Sequence, residues 1–144
     1  MKNITDIDLV RVSEDSFKMD VSAFRGNTAF KTALNIGFKY SIASRVLKTT
    51  VSVSFYRLDD DKTSVLEATG SMMFALGKKL IESYSVDDEL VLPSEFQIQT
   101  AHMTTGMVRG IIVSHMTQAG LVPLILPILN EDNLNIRPIV LKRQ

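Results

Sequence analysis

Three stretches of the chain alternate apolar and polar side chains with period two, the mark of strands that bury one face. In the first, Leu34, Ile36, Phe38, Tyr40 and Ile42 oppose Asn35, Gly37, Lys39 and Ser41. In the second, Val51, Val53 and Phe55 oppose Thr50, Ser52, Ser54 and Tyr56. In the third, Leu66, Ala68, Met72, Phe74 and Leu76 oppose Glu67, Thr69 and Ser71. A weaker pattern precedes them over 7–13, and 17–21 reads as its continuation. Asp59, Asp60, Asp61 and Lys62 read as a solvated hairpin turn, because no further ligands follow at metal-binding spacing. Residues 43–48 leave no room for a crossover helix, which excludes a βαβ unit and predicts antiparallel order.

One long helix follows the strands. Pro93-Ser94-Glu95-Phe96-Gln97 offers a Ser N-cap with Gln three residues on, a capping-box pattern, and Gly120 supplies a stop. The helix is predicted over 95–119, about 37 Å at 1.5 Å per residue. The fold class is therefore α+β: a four-stranded antiparallel sheet packed by one long late helix, in a single domain. No internal repeat, linker or low-complexity segment interrupts it.

That helix has no charged side. Between Gln97 and Gln118 the only Asp, Glu, Lys or Arg is Arg109. Ile98, Ala101, Val108, Ile112, Met116 and Ala119 gather on one side and can cover the sheet. Met103, Gly106, Met107, Gly110, Ser114 and Thr117 lie around the other. Each glycine costs about 1 kcal/mol against Ala in a helix interior. Two of them a turn apart let another backbone approach. Met103, Gly106, Met107, Gly110 and Ser114 are thus candidate residues of a homo-oligomer interface; cover by a loop of the same chain is the alternative.

After Gly120 comes the run Leu121-Val122-Pro123-Leu124-Ile125-Leu126-Pro127-Ile128-Leu129-Asn130. Prolines four apart forbid a continuous helix and spoil a central strand. The segment must lie extended along something, either as a lid on the core or as one wall of an apolar groove for extended polypeptide. Flexible Met72, Met73, Met103, Met107 and Met116 suit an adaptable surface.

Composition narrows the chemistry. Sixteen Lys and Arg balance sixteen Asp and Glu in 144 residues, so there is no basic footprint for nucleic acid and no polybasic membrane patch. No cysteine means no disulfide framework, thiolate zinc site or cysteine nucleophile. The first residues lack a signal-peptide pattern, and the longest apolar run is far short of the roughly 20 residues that span a bilayer. A cytoplasmic location is expected, without membrane insertion. His102 and His115 stand thirteen apart with no carboxylate at metal-ligand spacing, and Asp87-Asp88-Glu89 reads as a solvated loop. No phosphate-binding glycine loop, nucleophile elbow or zinc pattern occurs. No enzyme, cofactor or metal is expected.

The apolar run from Gly120 to Asn130, followed by Asp132 and Leu134, resembles the bacterial export chaperone SecB family. In the same register, Arg109 falls on the arginine of that family's Tyr-Ala-Arg-Glu helix motif. The strand Glu67-Ala68-Thr69-Gly70-Ser71-Met72-Met73-Phe74 is similar to its acidic, glycine-containing fourth strand. The likeness extends over about 7–134. It implies a homotetramer, a dimer of dimers with long helices at the interface. It also implies an ATP-independent holdase that keeps unfolded precursors competent for export and translocation. Phe38, Tyr40, Phe74, Leu121, Leu124, Leu126 and Leu129 are then the expected peptide-binding residues. Asp20, Val65 and Glu67 would dock the partner SecA. Three positions depart from the pattern: Met107 and Gly110 replace the motif's tyrosine and glutamate, and Glu131 replaces a phenylalanine. The family's second helix and acidic tail have no counterpart in 135–144, where Pro138 favours a short strand or extended tail; this bears directly on SecA docking. The alternatives are a dedicated chaperone of one partner, such as the antitoxin of a toxin–antitoxin pair, and a non-catalytic scaffold or ligand carrier. An enzyme built from other residues ranks below these.

Overall fold

The computed structural model describes residues 7–25, 29–41, 43–60, 62–86, 89–124, 126 and 139–142. Expectations placed on Ile42, Asp61, Asp87, Asp88, Leu129, Glu131, Asp132, Leu134 and Pro138 lie outside the described residues. Four strands form the main sheet: β1 (Ile7–Met19), β2 (Phe30–Ser41), β3 (Val46–Arg57) and β4 (Ser64–Leu76). Their order is β1-β4-β3-β2, with every pair antiparallel. The weak pattern at 7–13 and its continuation are one strand that crosses back beside β4. A 3-10 turn, Val21–Phe24, follows β1; the Asp20 carboxylate caps it by accepting from the Ser22 backbone N–H at 3.2 Å.

The β3–β4 hairpin turns at Asp60, whose Oδ1 accepts the backbone N–H groups of Lys62 (2.9 Å) and Thr63 (3.3 Å). These two bonds hold the exposed Asp60 carboxyl below the ordinary carboxylate range. The β2–β3 link closes on Arg45 in the left-handed region, φ 55°.

A short helix α1 (Lys78–Ser83) and strands β5 (Ser85–Val86) and β6 (Glu89–Leu92) lead into the long helix α2 (Ser94–Gln118). The tail returns as β7 (Ile139–Lys142), antiparallel to β6 in a second, three-stranded sheet. Ser94 does not cap α2. Pro93 occupies the cap position without a side-chain bond, and Gln97 is 3% exposed. The far end obeys the glycine rule. Gly120 has φ 74°; its N–H reaches the Thr117 carbonyl at 3.1 Å and the Leu121 N–H reaches that of Met116 at 2.9 Å. This is a Schellman ending, which turns the chain back with Leu121 against Met116.

The helix lies over β3 and β4. One apolar cluster joins Val51, Val53, Phe55, Leu66 and Ala68 of the sheet to Val108, Ile112 and Met116 of α2 and to Ala23, Phe24 and Leu126. A second joins Leu47 and Leu76 to Leu80, Leu92 and Phe96 at the other end. The helix–sheet seam also carries buried polar groups, Thr49, Gln97, Thr100, Thr104 and Thr105. Thr49 donates to Thr100 across the seam at 2.9 Å, and the Thr104 hydroxyl donates back to the Thr100 carbonyl at 2.7 Å.

Candidate functional site

Gly70 fixes where the helix sits. A Cβ placed there would meet Met107 Cε at 2.6 Å and Val108 Cγ2 at 3.0 Å, so a bare backbone is what admits the helix at this depth. Met107 is therefore not on the outer face of α2, as 100° spacing alone suggests. Its long side chain leans down onto the sheet beside the main cluster. Met103, Gly106, Gly110 and Ser114 do stay on the surface. A Cβ on Gly106 or Gly110 would meet nothing within 4 Å, so the chain leaves both uncovered.

The face of β4 that bears Gly70 also bears Met72 and Phe74, and in register across from these lie Glu14, Val12 and Leu9 of β1. Leu9 and Val12 thus point to the helix side of the sheet, beyond the edge of α2. They are 46% and 51% exposed. Val10, at a bulge between Leu9 and Arg11, is 56% exposed. On α2, Met103 is 41% exposed. Leu9 and Val12 therefore form an exposed apolar row on the helix side of an edge strand. Sequence patterning missed it, because the bulges at Leu9/Arg11 and Glu14/Ser16 break the alternation of β1 twice.

Of the residues expected to bind peptide, the described ones lie elsewhere. Phe38 and Tyr40 are half-buried against the second cluster, where burial, opposed by the Arg45 charge, raises the Tyr40 hydroxyl above its usual range. Phe74 and Leu126 are both 2% exposed and offer no surface in this chain. Leu121 and Leu124 pack on the main cluster, and the Leu124 N–H donates to Met116 Sδ at 3.4 Å. The segment after Gly120 is a lid on the core over its described length, because its leucines find apolar partners there. Among its described residues Val122 turns outward, 87% exposed.

Asp20, Val65 and Glu67 come together. They line an open cleft of about 600 Å3 with Lys18, Met19, Ser64 and Leu66. The Asp20 N–H donates to the Val65 carbonyl at 2.9 Å, Ser64 Oγ donates to Glu67 Oε1 at 2.7 Å, and Lys18 sits opposite Glu67 in the ladder. Asp20 and Glu67 are exposed, whereas Val65 is 6% exposed and serves the core more than the surface.

Of the histidines, His115 stacks on Phe17 at 3.9 Å and its Nε2 stands 2.6 Å from Glu14 Oε1, tying the end of α2 to β1. His102 is exposed. On the opposite face of the sheet, Asp15 accepts from Ser13 at 2.7 Å and from Ser71. Burial works to raise the Asp15 carboxyl, but these hydroxyls together with the Lys48 and Arg11 charges win, and it lies below the ordinary range. Among the described residues no three His, Asp or Glu side chains are grouped to hold a metal ion, and no helix is long and apolar enough to cross a membrane.

No protein-family model matches the chain, and no curated protein matches it. Among solved structures, it is similar to the SecB-like chaperone Rv1957 of Mycobacterium tuberculosis in complex with a ChAD peptide from the Rv1956 HigA1 antitoxin. The TM-score is 0.49 at 14% identity, covering 88% of this chain and 92% of that one. It is also similar to a protein of unknown function from Streptococcus agalactiae, with a TM-score of 0.42 at 12% identity, covering 84% of this chain and 96% of that one.

Proposed function

We propose that this chain is an ATP-independent chaperone of the SecB type, which binds extended, non-native polypeptide without chemistry and works as a homo-oligomer. The observation that carries the reading is the edge strand β1, where Leu9, Val10 and Val12 are each about half exposed. An edge strand offers unpaired backbone groups to an extended segment, and an apolar row beside it supplies contact without demanding a particular sequence. The uncharged, uncovered face of α2 supports the oligomeric part. The resemblance of 120–134 to the export-chaperone family supports the same class. Docking of a SecA-type partner would use Asp20 and Glu67 at the cleft, with Val65 beneath them.

Aggregation of a chemically denatured model client, followed by light scattering without nucleotide, tests this. Suppression near one oligomer per client chain is expected, weakened by Leu9→Ser with Val12→Ser. Unchanged aggregation across a range of protein excess would overturn the reading. A single stoichiometric protein co-purifying from cells would point to a dedicated client, whereas a heterogeneous set would point to export precursors. Gly110→Leu, which meets nothing inside the chain, should lower the particle mass and leave the far-UV spectrum intact.

A further inference from the structure

The charge pattern of α2 assigns a register to the self-association on which the preceding reading rests. Within Ser94–Gln118 the only Asp, Glu, Lys or Arg side chains are Glu95 and Arg109, of opposite sign. They stand two heptads apart, and at 3.6 residues per turn they project within about 40° of each other. His102 lies midway between them on the same side, with Gly106 and Val113 completing the stripe. Glu95, His102, Gly106 and Val113 are all exposed. Arg109 Nε–H is buried and finds no acceptor in the chain, and Thr105 Oγ1, one turn before it, is also buried without a partner. Among the described residues, neither Glu95 nor Arg109 has an ion pair.

We propose that two copies of the chain pair through this stripe as antiparallel helices about a two-fold axis at His102, so that Glu95 of each copy meets Arg109 of the partner subunit. In a two-fold antiparallel pair, residues equidistant from the centre face each other, and Glu95 and Arg109 are each seven from His102. Both ion pairs therefore form at once. A parallel pair would stack like charges and align the helix dipoles unfavourably. Centring the pair between Gly106 and Gly110 would leave both charges without an opposite. Seven-residue spacing keeps one seam facing the partner, and with a pair of His102 side chains at the crossing and Gly106 opposite a partner residue one turn away the axes stand about 10 Å apart. The charges stand about 10 Å from the centre, where a 20° crossing shifts the axes sideways by about 4 Å and widens their separation by less than about 1 Å. Arg and Glu side chains span that gap, and the half-buried Arg109 meets a carboxylate of opposite charge there.

The chain has no cysteine, so single cysteines report the register cleanly. Under mild oxidation, His102→Cys should give a disulfide-linked dimer on a non-reducing gel. Gly106→Cys should not, because it places the two thiols about 12 Å apart along the axis, beyond the roughly 7 Å limit between Cα atoms. Arg109→Glu should weaken dimerisation at least tenfold in sedimentation, and Glu95→Arg with Arg109→Glu should restore it, both with unchanged far-UV spectra. Cross-linking through Gly106→Cys rather than His102→Cys would overturn this register while leaving helix-mediated association standing. Association with no cross-link at either site, or no rescue by the double exchange, would also overturn it. A monomeric wild-type chain would sink the oligomeric reading itself.

Discussion

Thr49 and Thr100 make an asymmetric test of how helix and sheet are joined. Both are fully buried, at 0% and 1% exposure, and the donor direction is fixed: Thr49 donates to Thr100, which donates onward to the Gln97 carbonyl at 3.3 Å. Replacing Thr49 by Val removes the first donor but leaves the Thr100 hydroxyl bonded. The lost bond is worth about 1 kcal/mol, largely offset by the extra buried methyl at about 0.8 kcal/mol. Replacing Thr100 by Val instead strands the Thr49 hydroxyl in a dry interior, at a cost of about 1–3 kcal/mol. The Thr104 bond survives, since it goes to the Thr100 backbone. The double variant removes both hydroxyls and should return close to wild type. Urea unfolding at fixed protomer concentration measures this. With a slope of roughly 2 kcal/mol per molar, Thr100→Val should lower the midpoint by about 1 M, and Thr49→Val far less. Equal single effects that simply add in the double variant would refute the donor chain.

Gly70→Val should destabilise by about 2 kcal/mol, read from the same midpoint: Met107 can swing its terminal methyl aside, but the branched Val108 cannot. Leu126→Ala should cost about 2–5 kcal/mol as a core truncation, whereas Val122→Ser, outside the core, should leave the unfolding midpoint within experimental error. Asp15 has its folded pKa depressed, so its stabilisation is present above about pH 4 and fades as acid drives pH through the folded value. Asp15→Asn should therefore lose less stability than wild type between pH 4 and pH 2, with equal acid sensitivity counting against the assignment.

The three regular strands were legible because each turns one face to the apolar clusters, and burial on one face writes period two into the sequence. β1 was half-legible for the converse reason: two bulges shift its register, and an edge strand with exposed Leu9, Val10 and Val12 has no clean inside. The helix limits were read to within a residue at each end, yet its N-cap was misread, since Pro93 takes the cap position that Ser94 was expected to fill. Hydropathy could not place Thr100, Thr104 and Thr105 in the interior, because what makes them tolerable there is hydrogen bonding to Thr49 and to backbone, or, for Thr105, none at all. Residue spacing put Met107 outside, but a flexible side chain is placed by where it can reach. The cleft uniting Asp20, Val65 and Glu67 came from a family likeness; no periodicity in the chain predicts that the end of β1 meets the start of β4.

The glycines of the helix side of this fold fall into two kinds. Gly120 answers to a left-handed backbone, and Gly70 to a helix pressed within 3.0 Å of where its Cβ would be. Gly106 and Gly110 answer to neither: their φ is helical, their surroundings are open, and each costs the helix about 1 kcal/mol that alanine would return. The same stretch of α2 leaves Met103 and Val113 in water and Arg109 Nε without an acceptor. Each of these defects is local to one chain, and the two glycines and Val113 lie on the exposed side of the helix. A second helix laid along that side converts every one of them, the glycines into a close approach, the apolar side chains into buried area and the guanidinium into half of an ion pair. Their common remedy is the physical reason for treating the single chain as half of a contact.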